Sequence, residues 1–383
     1  MTAVLSPGER RTIVLGGMLA GVPGQGGASW AVLQYLLGLR RLGHDVLFLE
    51  PVIAGPAGLA GSPAAAYFDA LADDFGLRGS AALLDATSGE PYGLPRSVIA
   101  RFCARADLLL NLSGVLDAGE VLEPIGVRAF VDLDPAFTQL WAAVEGIDMG
   151  FDRHNRFITV GCCIGSPGCA VPTCGREWIT TPQPVVLERW PVATRTRSDG
   201  LTTVANWRAY GSIEHGGVRY GQKVHSLRPL MELPSRLGVP LELALGIHPA
   251  ETADLAALAQ AGWRLIDPVL AADTPDRYHA YVQGSWAEFG LAKEGYVAAQ
   301  CGWFSDRSVC YLASGRPVIA QDTGFGAHLP AGEGLLAFRT SDDVVAAVEA
   351  LRSNYGRHRR AAREIAEAVF DSDRVLGDLL ACL

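Results

Sequence analysis

Of the 32 basic residues in this sequence only Lys223 and Lys293 are lysines, and nowhere do basic residues gather into a block. Acidic residues number 41, so the net charge is −9. Without clustered cations to neutralise phosphates, the chain is a poor candidate for binding nucleic acid or an anionic membrane. Long apolar runs are missing too. None reaches the roughly 18 residues that a membrane span requires. The run Thr12 to Ala20 follows Glu9-Arg10-Arg11 as a leader's core would, but it leads into Gly24-Gln25-Gly26-Gly27 and not into a small-residue cleavage site. A buried first strand is expected there, and the cytoplasm is the expected compartment. Cysteine occurs eight times but never in a C-x2-C knuckle. The cluster Cys162, Cys163, Cys169, Cys174 therefore reads as free thiols in a turn-rich segment, with no metal expected.

What the chain does have is apolar content enough for a sizeable core: 49% of 383 residues are hydrophobic and only 19% charged, a length that suits two or three domains. Thr12 to Gly16 reads as a strand, Ala28 to Leu42 as a helix stopped by Gly43, and Asp45 to Leu49 as a second strand. Strands at Asp107 to Leu112, Arg128 to Leu133 and Phe157 to Gly161 continue the alternation with helices at Tyr67 to Phe75 and Ser97 to Ala106. Prolines then interrupt it between Gly165 and Gly200. It resumes with strands at Leu201 to Asn206, Leu241 to Leu245, Arg264 to Ile266, Ser285 to Leu291 and Arg316 to Ala320. Helices are expected at Val224 to Leu237, Ala253 to Gln260, Arg277 to Val282, Asp306 to Ala313 and Asp342 to Leu351. Strand–helix alternation of this kind builds parallel sheets, so the fold class is α/β, with two Rossmann-like domains facing across a cleft. The expected division is 1–190 as the N-terminal domain, 191–199 as a linker and 200–355 as the C-terminal domain. Residues 356–383 form terminal helices that pack back on the first domain.

Several segments, in order, resemble two-domain nucleotide-sugar glycosyltransferases of the GT-B fold. Gly26-Gly27-Ala28 and Leu39-Arg40-Arg41-Leu42-Gly43-His44-Asp45-Val46 are similar to the opening of those enzymes. Gln300-Cys301-Gly302-Trp303-Phe304-Ser305 and Tyr311-Leu312-Ala313-Ser314-Gly315-Arg316-Pro317-Val318-Ile319-Ala320 are similar to their donor-side box, helix and strand. The sequence departs from the pattern where many retaining members carry two glutamates. Trp303 and Cys310 stand in those places.

The resemblance implies transfer of a sugar from a nucleoside-diphosphate sugar to a small-molecule acceptor, with no cofactor beyond that co-substrate and no metal. It places the diphosphate at Ser305, Asp306, Arg307 and Ser308, where Ser305 suits an N-cap and the helix beyond offers unpaired N–H groups. Arg208 and Lys223 match its pair of leaving-group cations, with Lys293 a further candidate. Asp322, Thr323 and Gly324 match its sugar-holding loop. On the acceptor side, the turn Gly24, Gly26, Gly27 can bring backbone close to a ligand. Asp132 and Asp134 are candidates for a general base that deprotonates the acceptor, although on an extended chain the two cannot point the same way. Two other readings stay open. Gly24-x-Gly26 with Glu50 downstream imitates the dinucleotide fingerprint of an NAD(P)-dependent oxidoreductase. A non-catalytic nucleotide-binding scaffold would also explain the departures from the glutamate pattern.

Overall fold

Short apolar runs closed by glycine, proline or a polar turn become the strands of two sheets. The computed structural model describes residues 9–55, 58–117, 119 and 122–383. The first sheet contains β1 (Thr12–Gly16), β2 (Asp45–Val52), β3 (Ala81–Asp85), β4 (Pro91–Tyr92), β5 (Leu108–Leu112), β6 (Val127–Asp132), β7 (Arg156–Thr159) and β8 (Trp178–Thr180). Their order is β4-β3-β2-β1-β5-β6-β7-β8, parallel except for β4. The second half contributes β9 (Leu201–Asn206), a small hairpin of β10 (Ile213–His215) and β11 (Val218–Tyr220), then β12 (Leu241–Gly246), β13 (Arg264–Ile266), β14 (Ala287–Gly290), β15 (Val318–Gln321) and β16 (Leu335–Phe338). The second sheet runs β13-β12-β9-β14-β15-β16, all parallel. In both sheets the order reverses beside the first strand, between β1 and β5 and between β9 and β14. Ligands of open α/β sheets enter at such points, at the carboxyl ends of the strands.

Most of the strands legible in the sequence are largely buried, with the edge strand β13 as the exception. β3 is alanine-rich, β4 has two residues and β8 follows the proline-rich stretch, and none carries a clear strand pattern. The helix expected over Val224 to Leu237 is instead three short pieces, Lys223–Leu227, Arg228–Leu230 and Leu233–Arg236. Pro229 and Pro234 each remove a helix N–H and force the restart.

One apolar cluster runs through both halves, from Ile13, Leu33 and Leu36 to Val309, Tyr311, Ala362 and Leu376. Helix Gly26–Arg41 lies at its centre. Its first turn abuts helix Pro275–Gly284: a Cβ on Gly26 would collide with the carbonyl of Thr274, and one on Gly27 would sit 2.9 Å from the Tyr278 ring. Trp30 Nε1 donates to Pro275 O at 3.0 Å. Helix Ser372–Ala381 packs along the far end of the same helix, with Leu376 against Gly38 and Arg41 paired to Asp373 at 2.9 Å.

Candidate active site

Both carboxyl edges open onto one cavity of about 380 Å³. The turn Pro23-Gly24-Gln25 with Gly27 and Ala28 closes it from the first domain. Gly24, at φ +83° with open space around its Cα, lets the chain turn there. From the second domain come the end of β9 (Val204 to Asn206), Lys223, Asp306 and Arg307, and the apolar wall Pro268, Val269, Ala272 and Tyr278. The N-termini of helices Gly26–Arg41 and Asp306–Ala313 therefore meet at its polar end. Their unpaired amides and positive dipole ends suit an anion.

Lys223 makes no hydrogen bond or ion pair with any described residue. Burial, then the charges of Arg307 and Lys293, push its ammonium down to about 7. Arg307 is anchored: Nε meets Glu288 Oε1 at 2.5 Å and Nη1 donates to Val204 O at 2.9 Å. Glu288 is fully buried in β14, and its second oxygen has no partner among the described residues. Ser305 caps the helix by accepting from Arg307 N at 3.2 Å, while Ser308 is buried within it.

Other candidates lie elsewhere. Trp207 turns inward and donates to Asp254 at 3.0 Å, so Arg208 emerges on the other side, paired with Glu251 at 2.6 Å and outside the cavity. The expected Arg208–Lys223 pair is thus separated. Asp132 is fully buried and accepts from Thr138 Oγ1 (2.6 Å), Gln139 Nε2 (2.8 Å), Thr159 Oγ1 (2.8 Å) and Asp134 N (3.0 Å). Burial pushes its carboxyl above the usual range. With four donors and no access it ties strands to the following helix and cannot serve as an acceptor's base.

Asp134 and Lys293 find each other across the two halves, with Nζ at 3.0 and 2.8 Å from the carboxylate oxygens. Tyr210 donates to Asp134 at 2.6 Å, Tyr296 also donates to it, and the ammonium sits 4.3 Å from the Tyr210 ring centre and 5.2 Å from that of Phe137. Neither residue reaches the cavity wall, so a base or a donor cation there would first have to break this pair.

The loop after β15 is also spent internally. Asp322 accepts from Gly324 N at 2.9 Å and pairs with Arg339 at 2.6 Å, and Thr323, fully buried, donates to Trp303 O at 2.5 Å. Gly324 packs near Cys163 of the first domain. All eight cysteines are free, and among the described residues no group of His, Cys, Asp and Glu has the arrangement of a metal site. Gly26 is pressed against Thr274, whereas Gly24 and Gly27 line the same cavity as Lys223. Glu50, read as a ribose ligand in the dinucleotide alternative, points inward and accepts from Ala20 N (2.8 Å) and Gly21 N (2.6 Å). That removes the acidic residue on which the oxidoreductase reading depended.

Sequence reasoning missed Glu288 and the Pro268–Tyr278 wall. A lone glutamate inside the buried strand Ala-Glu-Phe-Gly was a usable signal for the first. Nothing local marked the second.

No family model matches the chain, and no curated protein matches it. Solved structures do. HepE of Anabaena, in complex with UDP and glucose, is 13% identical with a TM-score of 0.58, over 97% of this chain and 100% of that one. Sucrose-phosphate synthase from Thermosynechococcus elongatus gives 14% and 0.57, over 97% and 98%. An alpha-glucosyltransferase in complex with UDP gives 10% and 0.60, over 97% and 99%. What this chain shares with them is the GT-B fold of glycosyltransferases, two Rossmann-like sheets facing across a cleft.

Proposed function

We propose that the protein is a glycosyltransferase that takes its sugar from a nucleoside-diphosphate donor. The observation that carries this reading is Lys223, an ammonium with no protein partner on the wall of a cavity where two helix N-termini converge. The diphosphate lies at that polar end, against Lys223, Arg307 and the amides of Gly27 and Ala28. The nucleoside lies along Pro268, Val269 and Tyr278. Asp306, on the same wall, accepts from sugar or ribose hydroxyls. In the transfer, an acceptor hydroxyl oxygen bonds to the anomeric carbon as that carbon's bond to the phosphate oxygen breaks. The bonding pair leaves on the diphosphate and the hydroxyl proton passes to solvent. The fixed cations and helix ends stabilise the charge that develops on the leaving group. Two side-chain cations already in place support a reaction without a metal ion.

Domains 1–190 and 200–355, joined by 191–199, then divide acceptor and donor binding between them. The net charge of −9 supports a small-molecule acceptor over nucleic acid, although one structural neighbour is solved with DNA. No helix among the described residues is long and apolar enough to cross a membrane. Eight cysteines held as thiols support a reducing compartment, the cytoplasm.

HepE and the alpha-glucosyltransferase are solved with UDP, so UDP is the first ligand to test, followed by GDP, TDP and ADP. At a hundred times its dissociation constant the correct one stabilises the protein by about 2.7 kcal/mol. The expected outcome is a thermal shift that persists in EDTA and shrinks in Lys223→Met. If none of the four gives a shift the reading is rejected, and binding without turnover of any nucleotide sugar marks a scaffold instead.

A further inference from the structure

A second cavity, of about 410 Å³, lies on the second sheet toward the amino ends of β9 and β12, where Thr202 and Glu242 line it. Along their strands Thr202, Glu242 and Glu288 alternate with Leu201, Leu241, Leu243, Ala287 and Phe289 of a separate apolar cluster behind the sheet. The three polar side chains therefore share the opposite face, the one that helix Pro275–Gly284 covers and that carries the donor site at the other end of β9.

Two helices divide one cavity from the other. Helix Pro268–Ala272 packs on β9 and β12; Pro268, Val269 and Ala272 line the donor cavity, while Leu270 and Ala271 line the second. Helix Pro275–Gly284 likewise gives Tyr278 to the first and Tyr281 to the second. Beneath them runs a chain of polar groups. Arg307 meets Glu288 at 2.5 Å, and Glu288 stands beside its strand partner Thr202. Thr202 Oγ1 donates to Ser285 Oγ at 2.6 Å, and Ser285 donates to Tyr281 O at 2.8 Å. Tyr281 in turn donates to Glu242 Oε1 at 3.1 Å.

The charges of the second cavity are left over. Glu242 is half-buried, and among the described residues that tyrosine is its hydrogen-bond donor and no cation pairs with it. Arg197 lies against Gly284, where a Cβ would collide with its Nε. Its Nη2 donates to Ala280 O at 3.0 Å, and no carboxylate among the described residues pairs with it either. Arg277, the remaining charged lining residue, is matched by Asp273 at 2.8 Å. Ile266 and Leu270 supply an apolar wall, and Leu270 is 72% exposed. A carboxylate and a guanidinium that line one cavity without pairing match a ligand that carries both opposite charges.

We infer that this cavity binds a small zwitterion, an α-amino acid with an apolar side chain. Its ammonium sits on Glu242, its carboxylate on Arg197 and its side chain on Ile266 and Leu270. Bound there, it braces helix Pro268–Ala272, the wall along which the nucleoside lies, and so tightens donor binding. The coupling rests on the glycosyltransferase reading, whereas the binding does not.

L-leucine, L-methionine and L-phenylalanine are titrated calorimetrically into the full-length protein, first alone and then with UDP. At least one binds. Its analogues lacking the amine or the carboxylate bind about tenfold more weakly or worse, and Glu242→Gln and Arg197→Met weaken the intact amino acid to the same degree. The analogues probe both contacts in the unaltered protein, so the result stands even where a variant fails to fold. At saturation the amino acid tightens UDP binding about fivefold, and UDP tightens the amino acid equally. If none of the three binds, or if both analogues bind as the amino acid does, the site is overturned, whatever UDP does. If an amino acid and UDP both bind but neither alters the other's affinity, the coupling is overturned. If an amino acid binds and no nucleoside diphosphate does, the donor reading fails and the zwitterion site stands.

Discussion

An ammonium without a counter-ion is unfavourable on a largely buried wall, and Lys223 responds by giving up its proton near neutrality. In the unfolded chain its proton stays on to about 10.5. Between roughly pH 7 and 10 the unfolded state thus binds more protons, and the stability of the wild type relative to Lys223→Met rises with pH across that window. Diphosphate binding runs the other way. A bound anion favours the charged amine, so proton uptake accompanies binding, and UDP affinity falls by up to about tenfold per pH unit above 7. Lys223→Met binds UDP more weakly by about 1.5–3 kcal/mol and loses this slope. Titrations from pH 7 to 9 read both effects. Asp132 behaves oppositely in kind. Asp132→Ala leaves four donors unmet and costs about 3 kcal/mol in urea unfolding, with UDP affinity unchanged in the folded fraction.

At the scale of elements, the contacts between the two halves decide what the cleft can do. Gly26 and Gly27 let a helix N-terminus meet the turn before helix Pro275–Gly284 without a side chain between them. Across the seam, Asp134 and Lys293 form a partly exposed ion pair ringed by Tyr210, Tyr296 and Phe137. Removing either charge leaves the other poorly solvated. Asp134→Asn and Lys293→Met each destabilise by about 2 kcal/mol, and the double variant loses less than the sum by about 1 kcal/mol. A denaturation cycle measures that coupling, and purely additive losses would show that the pair does not join the two halves.

Over the whole molecule, the C-terminal chain stitches one half to the other. His358 accepts from Gly334 N at 3.2 Å and Arg363 donates to Trp190 O and Ala313 O, before helix Ser372–Ala381 settles on helix Gly26–Arg41. Leu376, fully buried against Gly38, is the anchor of that last contact. The expected outcome for the wild type is a single calorimetric transition, because one apolar cluster spans both sheets. Leu376→Asp buries an unpaired charge there and splits the transition in two.

Periodicity and chain punctuation by themselves determined the two α/β halves, because a strand buried on both faces must be a continuous apolar run and a helix must repeat every 3.6 residues. The glycine run marked the Gly24–Gly27 turn, whereas Lys223 and Arg307 were marked by the resemblance to GT-B glycosyltransferases and not by periodicity. Only the tertiary structure decided how those residues are used. Arg208 and Lys223 lie within one segment, yet the inward turn of Trp207 sends Arg208 to Glu251. Asp132 and Asp134 are two residues apart, yet one is locked among hydroxyls and the other bound to a lysine 159 positions away. A side chain's partner depends on which distant surfaces meet it, and no local pattern records that meeting.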